Sequence, residues 1–104
     1  NEQEAVKWYK KAADQGNIFA ISNLGVCYEC GEGVEIDLWQ AINCYRKAAE
    51  LGNDCAQSNL AVCYLEGRGV NRDRNEAERW FKMAADQGNE RAKVYLRDEF
   101  GVYI

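Results

Sequence analysis

The chain has 104 residues, enough for one small domain with a single core. Its net charge is −4 and no third of it is basic, which argues against nucleic-acid binding, since that depends on Lys and Arg against phosphate. It contains no proline to interrupt a helix, and no histidine, the commonest general base and a frequent zinc ligand.

From the N-terminus, Asn1 stands at a helix N-cap position with Glu4 three residues on, and the first helix runs towards Ala12-Ala13 and Gly16. The next helix begins after Gly16-Asn17 and runs to about Cys30. Its apolar positions Ala20, Leu24, Cys27 and Tyr28 follow a helical period. Gly31-Glu32-Gly33-Val34 reads as a turn with one apolar anchor. A further helix is predicted from about Leu38 to Glu50, with Ala41, Cys44, Tyr45, Ala48 and Ala49 as its buried stripe. Asp37 stands at its N-cap with Gln40 three residues on, the spacing of a capping box, and Gly52 ends it by tolerating positive φ. No apolar run approaches the length of a transmembrane helix, so no membrane insertion is expected, and there is no leader pattern. The chain begins with Asn1 rather than Met, and it is expected to be part of a longer protein.

The pattern then repeats at a fixed offset of 36 residues. Ala12-Ala13, Ala48-Ala49 and Ala84-Ala85 keep this step. So do the Gly-Asn pairs at 16, 52 and 88, the aromatics Tyr9, Tyr45 and Phe81, and Leu24, Leu60 and Leu96. Copies therefore span 1–36, 37–72 and 73–104 of a single domain, 1–104. One helix pair cannot bury its apolar stripe alone, so the copies are expected to stack. The small residues Ala20, Gly25, Ala41 and Ala48 leave room for close helix approach. In the third copy Arg97 replaces Gly25 and Ala61, and the turn glycines do not return. Residues 90–104 are therefore read as a terminal cap of a longer array.

The stretch Leu24-Gly25-x-x-Tyr28-x-x-Gly31-x-Gly33-Val34, then Asp37, Ala41, Tyr45 and Lys47-Ala48-Ala49-x-x-Gly52, resembles the Sel-one-like repeat, a relative of the tetratricopeptide repeat. The resemblance covers nearly the whole chain. It implies an all-α fold: a right-handed α/α superhelix, or solenoid, of antiparallel helix pairs used as an adaptor or scaffold. Cysteine-rich secreted members of that family are expected to join the position of Ala49 to that of Gln57 by a disulfide, a framework this chain lacks. Five cysteines, an odd number, fit a reducing compartment, and the reading leans to the cytoplasm.

No catalytic, cofactor or metal site is expected, and the chain reads as a non-enzyme. Gly31-Glu32-Gly33 lacks the third glycine and preceding strand of a nucleotide loop, and recurs as Gly67-Arg68-Gly69, which marks it as a structural turn. Cys27 and Cys30 make only half a zinc site. Cys27, Cys44 and Cys63 read as small core residues, and Cys30 and Cys55 as exposed thiols that leave a thiol-sensor role open. β-Lactam chemistry needs a Ser three residues before a Lys, and Ser22 and Ser58 are instead followed at that distance by Gly25 and Ala61.

The partner is expected to be another protein or a peptide. By the tetratricopeptide resemblance, the first helix of each pair lines a concave groove. Its outward positions are expected to be Phe19, Ser22, Asn23, Val26, Glu29 and Cys30, then Cys55, Ser58, Asn59, Val62, Leu65 and Glu66, then Arg91, Val94 and Asp98. Phe19 and Trp39 stand out because their counterparts, Cys55 and Arg91 for one and Gln3 and Asn75 for the other, are not apolar aromatics. An architectural or oligomerising segment, including a homodimer through Trp39, is the alternative.

Overall fold

In the computed structural model, which describes residues 1–103, the chain forms six helices and no strand among those residues. They are α1 (Glu2–Asp14), α2 (Ile18–Cys30), α3 (Leu38–Glu50), α4 (Asp54–Glu66), α5 (Arg74–Asp86) and α6 (Glu90–Phe100). The third copy and the expected cap both end on Ile104, which lies outside the described residues.

Every helix starts on an Asn or Asp whose side-chain oxygen accepts the N–H three residues on. Asn53 accepts from Ala56 at 2.7 Å, and Asp37 accepts from Gln40 at 3.1 Å. Asn1, Asn17, Asp73 and Asn89 do the same. Each such cap contributes about 1 kcal/mol. The capping box expected at Asp37 forms only in this half, and the same holds at its counterpart Asp73. The backbone N–H groups of Asp37 and Asp73 donate instead to the carbonyls of Tyr28 and Tyr64, both at 2.9 Å. Glu76, free of the cap, accepts from the Arg79 guanidinium at 3.0 and 3.2 Å, which holds its carboxyl below the usual range.

The turn at Gly52 closes α3 and opens α4 within three residues. Gly52 has φ +97°, its N–H donates to the Ala49 carbonyl, and the Asn53 N–H donates to the Ala48 carbonyl, each at 3.0 Å. This is the double bond of a Schellman ending, and the same Asn53 then caps α4. Gly33 is required for another reason. A Cβ there would run into the backbone carbonyl of Glu2, so the turn after α2 lies directly against the start of α1.

Each helix packs on the one before and the one after, giving an elongated body of 41 × 24 × 20 Å. The main core runs from Ile21 through α3, α4, α5 and α6, and a smaller cluster of Val6, Leu24 and Cys27 holds α1 against α2. Val34 anchors its turn on the smaller cluster, as expected. Gly25 provides the close approach expected of it, since a Cβ there would stand 2.7 Å from the Tyr45 ring. Cys27 and Cys63 are buried, Cys44 is half-buried, and Cys30 and Cys55 are exposed. Burial pushes the Cys63 thiol up to about 12.

The two positions that the cysteine-rich relatives were expected to bridge are joined here by a hydrogen bond. The buried Gln57 side chain donates from Nε2 to the Ala49 carbonyl at 3.1 Å. Gln87 Nε2 in turn donates to Gln57 Oε1 at 3.1 Å and to the Gly52 carbonyl at 3.0 Å, linking the α3–α4 junction to the α5–α6 junction.

Candidate partner-binding site

The helices alternate between two rows. α2, α4 and α6 form one, and α1, α3 and α5 the other, because each 36-residue step returns the chain to the same row. On α2, the exposed residues Phe19, Asn23 and Cys30 are spaced i, i+4 and i+11, a spacing that keeps them on one narrow stripe. On α4 the same spacing places Cys55, Asn59 and Glu66 in line, with Asn59 half-buried. Exposed Arg91 and Val94 extend the face onto α6. These residues lie on the outer side of one row of helices.

Several expected outward positions are not on the surface. Ser22, Ser58, Val62 and Leu65 are buried, which corrects the expectation for each. The reason is the middle position of α4. It has α3 on one side and α5 on the other, which leaves its 55/59/66 stripe open, and Ser22 is covered likewise because α2 lies between α1 and α3. Val26 is half-buried against the main core rather than free. Glu29 turns inward as well. Its carboxylate accepts from the Tyr45 hydroxyl at 2.7 Å and pairs with Arg68 Nε at 3.2 Å. Burial and this hydrogen bond both push the Tyr45 phenol far above its ordinary value. Trp39 is exposed, but it stands on α3, in the other row.

The third-copy end of the face is held in place. Arg91 Nη1 donates to Asn59 Oδ1 at 2.6 Å and its guanidinium lies 5.8 Å from the Tyr95 ring centre. Tyr95 stacks on the buried Phe81 at 4.8 Å. A cation is thus fixed on the face between α4 and α6. Asp98 is exposed and pairs with the neighbouring Arg97 at 3.2 Å. Sequence reasoning did not find the Arg91–Asn59 pair. Its signal is that Arg91 and Asn59 fall one above the other only after the 36-residue fold-back.

A stack of helix pairs with one row presenting variable exposed side chains defines the molecule as an α-helical repeat solenoid. More narrowly, the chain belongs to the Sel1 repeat family, whose model matches residues 1–17, 18–53 and 56–89. That model pairs α2 with α3 and α4 with α5, half a period out of phase with copies counted from Asn1, Asp37 and Asp73. The chain is 39% identical, with a TM-score of 0.87, to a protective antigen of uropathogenic Escherichia coli displaying this fold; the match covers 98% of this chain and 22% of that one. It is 38% identical, with a TM-score of 0.88, to a Sel1 repeat protein from Oxalobacter formigenes, over 98% of this chain and 42% of that one. Cysteine-rich protein B of Helicobacter pylori matches at 29% identity and a TM-score of 0.82, over 88% of this chain and 69% of that one. The chain thus spans less than half the length of the first two. No curated protein matches it by sequence. Repeat modules of this kind generally mediate protein interactions.

Proposed function

We propose that this chain binds a peptide or a surface of another protein across the face formed by α2, α4 and α6. The observation that carries the reading is the contrast between covered and open positions. Many covered positions agree between copies, as at Leu60 and Leu96, or Ala48 and Ala84. Where they are open they diverge, with Phe19, Cys55 and Arg91 at one repeat position and Cys30 and Glu66 at another. A scaffold needs the first set. The second set is free to carry recognition. Asn23 and the half-buried Asn59 offer amide groups one repeat apart, suited to an extended backbone.

The test is capture from a native lysate, read by mass spectrometry, with the unmodified chain and an Asn23→Arg/Glu66→Arg variant. Both sites are exposed on helix surfaces, so helicity by circular dichroism should not change. A protein captured by the first and lost by the second is the expected result. Identical capture by both removes this face from the account.

The alternative, an architectural segment, is favoured by one observation. Trp8 and Trp80 hold the same repeat position, yet Trp8 is 65% exposed and Trp80 only 4%. The outer side of α1 therefore lacks the cover that α4 gives α5. A mass in solution that rises with concentration, and falls back on Trp8→Gln, supports that reading. A concentration-independent monomer removes it.

A further inference from the structure

At the junction between the first two helix pairs, a shallow groove of about 230 Å³ is lined by Ile18, Phe19, Leu51, Asn53, Asp54 and Gln87. Its apolar residues are not required by the repeat. Leu51, 52% exposed, has Gln15 and Gln87 as its counterparts in the other copies. Ile18 has Asp54 and Glu90. Phe19, 73% exposed, has Cys55 and Arg91. At the next junction the same place is polar, and Asp54 accepts a hydrogen bond from Asn89 Nδ2 at 2.9 Å. The scaffold therefore folds with polar groups here, and at one junction alone carries three apolar side chains that converge.

The rim around this apolar patch is acidic. Asp54 lines the groove, and exposed Glu50 and Asp86 each stand one residue from a lining residue. The matching segments 14–19 and 50–55 contain no Lys or Arg, and 86–91 contains one, Arg91, whose guanidinium is held by Asn59. Among the described residues, none of Glu50, Asp54 and Asp86 is in an ion pair. One wall is fixed, because Gln87 is tied to both Gly52 and Gln57. An apolar side chain can enter such a groove without first ordering it, which lowers the entropic cost of binding.

We propose that this groove docks a partner segment bearing a bulky apolar side chain flanked by Lys or Arg. The apolar residues supply contact area, and the acidic rim selects flanking cations and speeds encounter. The groove shares Phe19 with the face on α2, α4 and α6 but does not depend on that face, because Ile18 and Leu51 lie outside it.

The test uses a fluorescein-labelled Lys-Lys-Leu-Trp-Leu-Lys-Lys peptide, read by fluorescence polarisation against its Glu-flanked counterpart. The Lys-flanked peptide should bind, and the Glu-flanked one should bind at least about tenfold more weakly. Leu51→Gln with Ile18→Asp installs residues the other copies already carry. It should weaken binding by about tenfold or more, the factor for losing one buried aliphatic contact. Leu51→Gln alone, at a half-open position, guards against a folding artefact. Glu50→Lys with Asp86→Lys should weaken binding and flatten its salt dependence. Asn23→Arg/Glu66→Arg should leave the Leu51-dependent part intact, which separates failure here from failure of the face on α2, α4 and α6. No binding, equal binding of both peptides, or an isotherm unmoved by the Leu51 variants overturns the proposal. So does a homodimer dispersed by Leu51→Gln, which would make a second copy the occupant.

Discussion

Tyr45 and Glu29 offer a test that the chain has in effect already run on itself. Tyr45 is 1% exposed, and its hydroxyl donates to Glu29 at 2.7 Å. One repeat on, the same two positions hold Phe81 and Leu65, both in the main core. A phenol paired with a carboxylate in one copy is thus replaced by two apolar groups in the next. Tyr45→Phe removes a hydrogen bond to a charged acceptor, worth about 1.5–3 kcal/mol when both groups are sealed. Glu29 keeps Arg68, and its side chain is 21% exposed, so water recovers part of the loss. The expected cost is about 1 kcal/mol. Glu29→Leu is worse. It strands a buried hydroxyl, at about 1–3 kcal/mol, and loses an Arg68 pair worth at most about 1 kcal/mol. Made together, the two changes reproduce the Leu65 and Phe81 pairing and should cost little beyond the Arg68 pair. The coupling energy is then about 2–4 kcal/mol, measured by urea unfolding of the four proteins under circular dichroism. In thermal melts each 1 kcal/mol should appear as about 4–8 °C. Additive single costs would refute the reasoning, because they would mean that the phenol and the carboxylate do not stabilise one another.

Three further outcomes follow from the same structure. In native protein two thiols, Cys30 and Cys55, should react with a disulfide reagent, and the other three only on unfolding; five prompt equivalents would contradict the burial of Cys27 and Cys63. Ser58 is 1% exposed with no hydrogen-bond partner for its Oγ among the described residues, so Ser58→Ala should be neutral or stabilise by up to about 1 kcal/mol in urea, and a loss above that would reveal a partner. Stability should fall at alkaline pH, because the folded chain holds the protons of Cys63 and Tyr45 to higher pH than the unfolded chain does. The Cys63 contribution is intact below its ordinary value of 9.0 and is lost as pH rises towards about 12, at about 1.4 kcal/mol per pH unit. The loss from Tyr45 adds to it above about pH 10, and Cys63→Ala should reduce the earlier part of the decline in a pH series of urea midpoints, the rest coming from the other thiols that burial pushes up.

The fold was legible because its determinants are local and repeated. Gly52-Asn53 ends one helix and caps the next by backbone rules that hold wherever the dipeptide stands, and the period of 36 assigns the other copies. The helix limits Ile18–Cys30 and Leu38–Glu50 were readable for that reason. The face was legible only in part. Helical spacing says which residues share a side, and it grouped Phe19 and Asn23 correctly. It does not say how wide the uncovered strip is. That width is set by neighbours on both flanks, so Ser58, Val62 and Leu65 are buried on α4 while Val94, on a helix packed mainly against α5, stays open. Glu29 was misplaced for a different reason. A carboxylate reads as outward until the hydroxyl that satisfies it is known, and Tyr45 lies sixteen residues away on another helix.

The copies act as controls for one another, and this separates three kinds of difference. Positions that agree and are covered, such as Ala48 and Ala84, belong to the scaffold. Positions that differ while covered must change in pairs, because a lone polar group in a core leaves its partner unsatisfied. Glu29 with Tyr45 against Leu65 with Phe81 is such a pair. Positions that differ while exposed carry no packing obligation. A run of apolar choices there cannot be explained by folding, because the same scaffold folds around Gln87, Asp54 and Arg91 in the matching places. Single exposed apolar residues are ordinary on any protein surface. Exposed Phe19 and Leu51 meet Ile18, which is half-buried and also packs on the main core, in one groove at one junction and not at the next, an arrangement the repeat does not require. The docking proposed for this groove accounts for them, and the acidic residues beside it are why that proposal gives the partner segment Lys or Arg.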